Sequence, residues 1–414
     1  METRVPPTHR YPTRWKLGCR HNSRSSLSQE KRKRRKRHTR VMDLPIELIF
    51  NILLFLPAKL LQEVVRYVCK QWYDIISEPS FIRAHCQIST ITTTSASFII
   101  QSRLDGRKVY CLDKDVTKIL FPVQARIKGS CNGLVLLCDS IGDPQKIYLA
   151  NPLRKLIVSL PPIVPVVMEE PSYTTCSFAV NSSGQYKMVH FACYTYSRIC
   201  EMGVFTIGFD KAWRRNDLQH LLGITMNKAA SIIKNSRQSQ FIGRFLYWPG
   251  YIPFLAMDVD TETLYQISFR PTEKFNRFCY RYEFISTETA LGLMTEWDYD
   301  RGIWKLEKLT DVKSSEWTEI AMIDIGAMVT KVSNGKWTYS ISGRYTRPLS
   351  LIDGELCFSL RVAFHTTAWM IRYNLANESF VCFEVKVPCD DPFCYHHVPT
   401  YVSPKNITLN SFKT

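Results

Sequence analysis

Apolar residues between Leu44 and Ile76 recur at helical spacing, and from about Ile99 onward they recur at every second position. Leu44, Leu48, Ile52 and Leu56 lie four residues apart, with Ile49 and Leu53 widening the stripe, which predicts an amphipathic helix. Asp43 and Leu44-Pro45 stand at its start, where the missing N–H of proline costs nothing, and Glu47 suits the positive end of the helix dipole. Pro57 stops it. A second helix is predicted through Leu60, Leu61, Val64, Val65 and Val68, and a third through Trp72, Ile75 and Ile76 before Pro79. Three short helices with apolar residues on more than one face cannot hide them all from water. Such a unit is expected to offer an apolar surface to another protein.

Beyond Ile99 the alternation, the frequent aromatics and the Gly, Asn and Asp clusters predict strands joined by tight turns. The clearest are Leu134 to Cys138, Lys146 to Ala150, Phe178 to Val180, Tyr186 to Cys193, Val204 to Phe209, Phe245 to Trp248, Leu255 to Val259 and Leu264 to Ile267. Ile303 to Leu306, Gly354 to Leu360, Met370 to Tyr373 and Phe380 to Val385 follow, and Ala212 to Leu222 reads as one short helix. Five units look alike: Lys146 to Asn151, Gly203 to Asp210, Leu255 to Asp260, Gly302 to Leu306 and Trp369 to Asn374. Their interval of roughly 45–70 residues is near that of a four-stranded propeller blade with its loops. The stretch Met322 to Arg347 interrupts the period and leaves the blade number open. The predicted fold class is multidomain α+β, a small N-terminal three-helix unit followed by an all-β, propeller-like domain.

Composition changes the picture at the N-terminus. Of a net charge of +17, residues 1–40 carry +12, from fourteen Lys or Arg against two acidic residues, leaving +5 for the rest. The basicity therefore belongs to a tail with too few aliphatic residues to fold, not to a nucleic-acid-binding domain. Within it Lys31, Arg32, Lys33, Arg34, Arg35, Lys36 and Arg37 form an unbroken basic run suited to a nuclear import receptor, so a nuclear protein, also present in the cytoplasm, is expected. The fourteen cysteines have no framework spacing, no apolar leader precedes them, and no apolar run would span a bilayer. Reduced thiols, an intracellular chain and no membrane contact are the expectation.

Three groups of residues carry a resemblance. Leu44-Pro45, Leu56-Pro57-Ala58-Lys59 and Val68-Cys69-Lys70-Gln71-Trp72 resemble the F-box motif of plant-type F-box proteins. Gly129 to Leu137, Ala150 to Lys155 and Leu160-Pro161-Pro162 are similar to the opening of the F-box-associated, kelch-like domain, and Gly243 to Trp248, Met257 to Asp260 and Leu351 to Leu356 fit it further on. With the disordered basic tail (1–40) that composition predicts, the resemblance, which covers about residues 42–390, implies an F-box (42–88) and a kelch-like β-propeller domain (99–390), leaving a C-terminal tail (391–414). It implies a non-enzymatic substrate receptor of an SCF-type ubiquitin ligase, without cofactor or metal. Leu44, Pro45, Ile49, Leu53, Leu56, Pro57, Val68, Cys69 and Trp72 would bind a Skp-family adaptor, and through it a cullin scaffold, while the β-domain binds the target protein. Between Lys59 and Val68 the chain departs from the family pattern: no Ser follows the lysine, and one extra residue shifts the helical phase of Leu60 to Val65.

Other chemistry finds less support in the residues. Gly129-Ser130-Cys131-Asn132-Gly133 matches a nucleophile elbow in letters, but strand-patterned residues follow where an elbow needs a helix, so a β-turn is predicted. Cys389, Cys394, His396 and His397 lie together without a second matching pair, which favours a strand-end loop over a zinc site. Trp248, Trp297, Trp304, Trp317 and Trp369 are expected mostly inside blades. A nuclear, nucleic-acid-associated scaffold acting through the basic tail is the alternative function, and a propeller hydrolase or glycan binder a third.

Overall fold

A computed structural model describes residues 44–92, 97–101, 106–112, 116–139, 145–163, 167, 169–236, 238–250, 253–269, 281–298, 300–336, 346–361, 368–385 and 393–408. The basic run Lys31–Arg37, and with it Asp43 and Cys389, lies outside them. The chain opens with α1 (Ile46–Leu54), α2 (Ala58–Glu63), a 3-10 turn at Val65–Tyr67, α3 (Lys70–Ser77) and α4 (Pro79–Thr92). The predicted three helices are thus four. Pro79 stands first in α4, because its fixed φ and absent N–H suit the first turn, so it opens a helix as well as closing one. Ile49, Leu53, Leu61, Val65, Ile75, Ile76 and Phe81 form the interior of this unit. The Phe50 and Phe81 rings meet edge to face at 5.2 Å. Buried His85 reaches back with Nε2 to the Leu56 carbonyl at 2.8 Å, holding α4 against the end of α1. Burial lowers the pKa of His85, which keeps the ring neutral.

The strands follow as β1 (Phe98–Gln101), β2 (Lys108–Leu112), β3 (Val116–Leu120), β4 (Arg126–Cys131), β5 (Leu134–Cys138), β6 (Gln145–Asn151) and β7 (Leu156–Ile163). Next are β8 (Tyr173–Val180), β9 (Tyr186–Tyr194), β10 (Ile199–Thr206), β11 (Arg214–Asp217), β12 (Gln240–Ile242), β13 (Phe245–Trp248), β14 (Phe254–Asp258) and β15 (Leu264–Ile267). Last come β16 (Tyr282–Thr287), β17 (Leu291–Asp298), β18 (Ile303–Asp311), β19 (Glu316–Asp324), β20 (Thr346–Ile352), β21 (Glu355–Arg361), β22 (Ala368–Asn374), β23 (Phe380–Val385) and β24 (Phe393–His396).

Among the described residues these make a propeller of four separate four-stranded blades, β24-β1-β2-β3, β4–β7, β8–β11 and β12–β15, and one eight-stranded sheet, β19-β18-β17-β16-β20-β21-β22-β23. The eight-stranded sheet is joined at its middle by only two parallel residue pairs, Ser286↔Ser350 and Thr287↔Leu351. A hydrophobic cluster containing Ile285, Trp304, Phe358 and Ile371 packs its two halves face to face, as two blades would pack. β24, β4, β8, β12, β16 and β20 approach one another and are the inner strands of these sheets. The core lies between neighbouring blades. One cluster joins β9, β10, β13 and β14 through Phe191, Met202, Trp248 and Met257, and others join β12–β15 to β16–β19, the first blade to β20–β23, and the first blade to β4–β7.

β24 pairs antiparallel with β1, from Phe98↔His396 to Gln101↔Phe393, so a strand from the C-terminal end completes the first blade. The predicted β-domain therefore includes residues past 390: Phe393–His396, within the stretch expected as a tail from 391, are a strand of the ring. Its continuation is also seated: Asn151 Nδ2 donates to the carbonyls of Thr400 and Val402 at 3.0 and 2.7 Å, and Arg154 lies 4.5 Å over the Tyr401 ring. Ring closure between opposite chain ends leaves no mark in local periodicity. The expected helix at Ala212–Leu222 is half strand, β11, and half helix, α5 (Leu218–Leu222), whose start is capped by Asp217 accepting from the Gln219 N–H. Then α6 (Met226–Asn235) packs on the same blade, and α7 (Ile325–Val332) fills the interruption after Met322. Cys193 and Cys200 face each other across the β9–β10 hairpin and form a disulfide, so the expectation of wholly reduced thiols fails for this pair.

Candidate functional site

The helical unit turns two faces of α1 to different surroundings. At about 100° per residue, Ile49 and Leu53 fall on one side and Leu48, Ile52 and Phe55 on another. The first pair is buried, whereas Leu48, Ile52 and Phe55 are 50%, 51% and 70% exposed. Phe55 lies just past the last turn, where the chain bends toward Pro57, and this extends the stripe beyond the helix end. Exposed Tyr67, Val68 and Tyr73 add to the apolar surface of the unit, with the Arg66 guanidinium 5.2 Å from the Tyr67 ring centroid and 5.7 Å from that of Tyr73. Leu60 and Val64 face a different space. With Pro57 they line a cleft of about 670 Å³ shared with Leu120, Leu156 and Pro399 of the β-domain.

Of the residues expected to bind an adaptor, Pro45, Pro57 and Val68 are exposed, Leu44, Leu56, Cys69 and Trp72 are half-buried, and Ile49 and Leu53 are inside the helical unit. Ile52 and Phe55, which the motif does not single out, present more apolar surface than any of the half-buried ones. The information was present in the four-residue series Leu44, Leu48, Ile52, Leu56, but choosing between its two faces needs the packing of α3 and α4 behind it.

The propeller contributes a second feature. Where the inner strands begin, a basin of about 670 Å³ is lined by Arg126 and Lys128 of β4, Thr174 of β8, Gln238 and Ser239 ahead of β12, Glu283 of β16 and Arg347 of β20. Lys234 of α6 stands on its rim, its Nζ 5.4 Å from the Tyr173 ring centroid. Glu283 is held between two arginines, 3.7 Å from Arg281 Nε and 3.4 Å from Arg347 Nε. His190 lies below the rim, its Nε2 2.6 Å from Thr174 Oγ1, and burial together with the Arg215 and Lys128 charges drops its pKa to about 3. Gln238 donates to the Cys394 carbonyl, which ties the segment before β12 to the closing strand.

The residues that match catalytic or metal-binding patterns in letters have structural roles. Asn132 and Gly133 have φ of 48° and 72° and form the two-residue turn between β4 and β5, the conformation an Asn-Gly hairpin favours. Gly133 also lies against Thr400, whose hydroxyl donates to the Asn132 carbonyl at 2.5 Å, leaving no room for a Cβ. Cys131 is buried, and desolvation pushes its thiol well above the usual range, the opposite of an activated nucleophile. His397 Nδ1 lies 2.9 Å from Ser130 Oγ, and burial drops His397 to about 3 and His396 to about 4. Among the described residues no three His, Cys, Asp or Glu side chains are grouped to hold a metal, and no helix is long and apolar enough to cross a membrane. Trp248 and Trp304 are fully buried, Trp317 and Trp369 half-buried, and Trp297 is 43% exposed.

Residues 41–88 match the F-box-like domain family. No curated protein matches the chain in sequence. Among solved structures it is similar to TolB from Acinetobacter baumannii, at 7% identity and a TM-score of 0.41, over 77% of this chain and 72% of that one. AofleA from Arthrobotrys oligospora gives 9% identity and a TM-score of 0.39 over 75% of this chain and 91% of that one. Prolyl oligopeptidase B from Galerina marginata gives 8% and 0.34, over 68% of this chain and 39% of that one. At TM-scores this low the overlaps carry no argument about activity.

Proposed function

We propose that this chain is the substrate-recognition subunit of an SCF-type ubiquitin ligase. An F-box-like domain followed by a β-propeller fits such a subunit in general. The observation that supports it most is the solvent-facing stripe of Leu48, Ile52 and Phe55 on a helical unit whose own interior is already filled by Ile49, Leu53, Ile76 and Phe81. Apolar side chains at helical spacing, left outside a completed core, suit helix-in-groove docking onto a Skp-family adaptor that links to a cullin scaffold. The propeller holds the target. The chain itself catalyses nothing; it brings the target's lysines within reach of a separately bound ubiquitin-loaded enzyme, replacing a bimolecular encounter by a local one. The basic run Lys31–Arg37 suits import, so the ligase would act in the nucleus.

Co-expression of the full chain with a Skp-family adaptor tests this reading by size-exclusion chromatography. A stable one-to-one complex is expected, and a chain that elutes apart from the adaptor overturns the assignment.

A further inference from the structure

We propose that the basin at the start of the inner strands binds an acidic segment of a polypeptide, with Lys128 and Lys234 as its principal cations and Arg126 and Arg347 adding to the field. The proposal rests on the receptor reading and gives the target site a chemistry. Among the described residues four cationic side chains line the basin against one carboxylate, Glu283. That carboxylate already faces Arg281 and Arg347 at 3.7 and 3.4 Å, so it offsets little of the charge that Lys128 and Lys234 bring. A concave wall of one sign focuses the potential toward the opening and attracts the opposite charge. The field of Lys128 reaches below the rim: after burial and the Arg215 charge, it adds to the lowering of the His190 pKa.

Size and lining favour a peptide. About 670 Å³ is within the range of specific ligand pockets and admits a few side chains. Ser172, Thr174, Gln238 and Ser239 make the wall polar around the cations; Thr174 is bonded to His190, Gln238 to the Cys394 carbonyl and Ser239 to the Lys128 carbonyl, so the cations carry the contact with the carboxylates of an extended segment. RNA would need aromatic faces for its bases. The basin's two tyrosines do not offer them, since Tyr395 is buried and donates to the Ile127 carbonyl, and Lys234 lies over Tyr173.

The test uses the full chain, alone and with the adaptor, with Lys31–Arg37 each changed to Gln so that the basic tail does not compete for the probe. Fluorescein-labelled oligoglutamate, oligoglutamine of equal length and oligouridylate are titrated by anisotropy. Oligoglutamate is expected to saturate the protein and oligoglutamine not to bind, with affinity falling as salt rises. Lys128→Glu with Lys234→Glu should weaken oligoglutamate by about tenfold or more, and the milder Lys128→Gln with Lys234→Gln by less. A thermal melt accompanies each variant, and the Gln pair decides the matter if the Glu pair unfolds. Absence of oligoglutamate binding overturns the proposal. So does unchanged affinity in a folded variant, or tighter binding of oligouridylate that is lost with the same lysines. Failure of the adaptor to co-purify would count against the receptor reading alone, because the basin is titrated separately.

Discussion

Replacing Ile52 and Phe55 together by alanine separates docking from folding. Complete burial of an isoleucine or phenylalanine side chain is worth about 1.5–3 kcal/mol. Ile52 keeps 51% and Phe55 70% of its surface exposed in the unbound chain, so adaptor docking has roughly 1 and 2 kcal/mol respectively left to gain. Their joint loss, about 3 kcal/mol, raises the dissociation constant more than about a hundredfold. The fold loses little, about 1 kcal/mol or less, since neither side chain fills the interior. Leu53→Ala is the counterpart. Leu53 is fully buried, and its truncation should cost about 2–5 kcal/mol of stability through transfer and cavity terms. Isothermal titration with a Skp-family adaptor and urea unfolding of the same samples read the two effects. An Ile52→Ala/Phe55→Ala chain that binds with wild-type affinity refutes the assigned face. One that loses urea resistance as Leu53→Ala does refutes the claim that the stripe lies outside the core.

Two further outcomes follow from the charged interior of the β-domain. Lys187, 5% exposed, donates to Glu262 Oε1 and to the Val259 carbonyl at 2.8 Å each, and Arg214 donates to the other Glu262 oxygen at 2.7 Å, linking two blades. Burial alone would raise the Glu262 pKa, but these two cations outweigh it and hold the carboxyl below its usual range. Glu262→Ala leaves the lysine enclosed without its counter-charge and should lower the urea midpoint by an amount equal to about 2–3 kcal/mol; the Lys187→Met/Glu262→Leu pair should recover much of it. If the single change costs no more than the pair, the ion pair is not what matters there. Acid should destabilise the fold before carboxylates titrate. His190 and His397 bind a proton near 6.5 when unfolded but only near 3 when folded, so between those values the unfolded chain holds more protons. Their contribution is whole above 6.5 and is lost as pH falls, at up to about 1.4 kcal/mol per pH unit for each ring. Urea midpoints at about pH 7 and about pH 5.5 check this, and equal midpoints would show the rings to be hydrated.

Much of the propeller was legible in the chain. The five look-alike units are β6, β10, β14, β18 and β22, each the third strand out from the axis of its blade, flanked on both sides by other strands. That shared environment demands the same mixture of aliphatic and aromatic residues, which is why the recurrence appears in third strands. The third strand of the first blade, β2, is not among the five units, and the innermost strand of that blade, β24, comes from far along the chain. Pairing over that distance is decided by ring closure and leaves no local trace. Half of the expected Ala212–Leu222 helix became β11 for a similar reason: Arg214 to Asp217 pair with Glu201 to Val204 across the blade, and tertiary pairing overrides local preference.

For the N-terminal helices, spacing alone specified amphipathic segments, their proline boundaries and an excess of apolar residues over what three short helices can bury. It did not say which of two apolar stripes on α1 faces outward, because both recur at the same interval. That choice falls to α3 and α4, whose Ile75, Ile76 and Phe81 fill the space behind Ile49 and Leu53 and leave Leu48, Ile52 and Phe55 to solvent. The basin was likewise invisible beforehand. Lys128, Lys234 and Arg347 are far apart in the chain and become one charged surface only when the inner strands converge on a common axis. Periodicity reports what each segment needs from its neighbours; which neighbours answer is settled by packing, where side chains distant in sequence compete for the same volume.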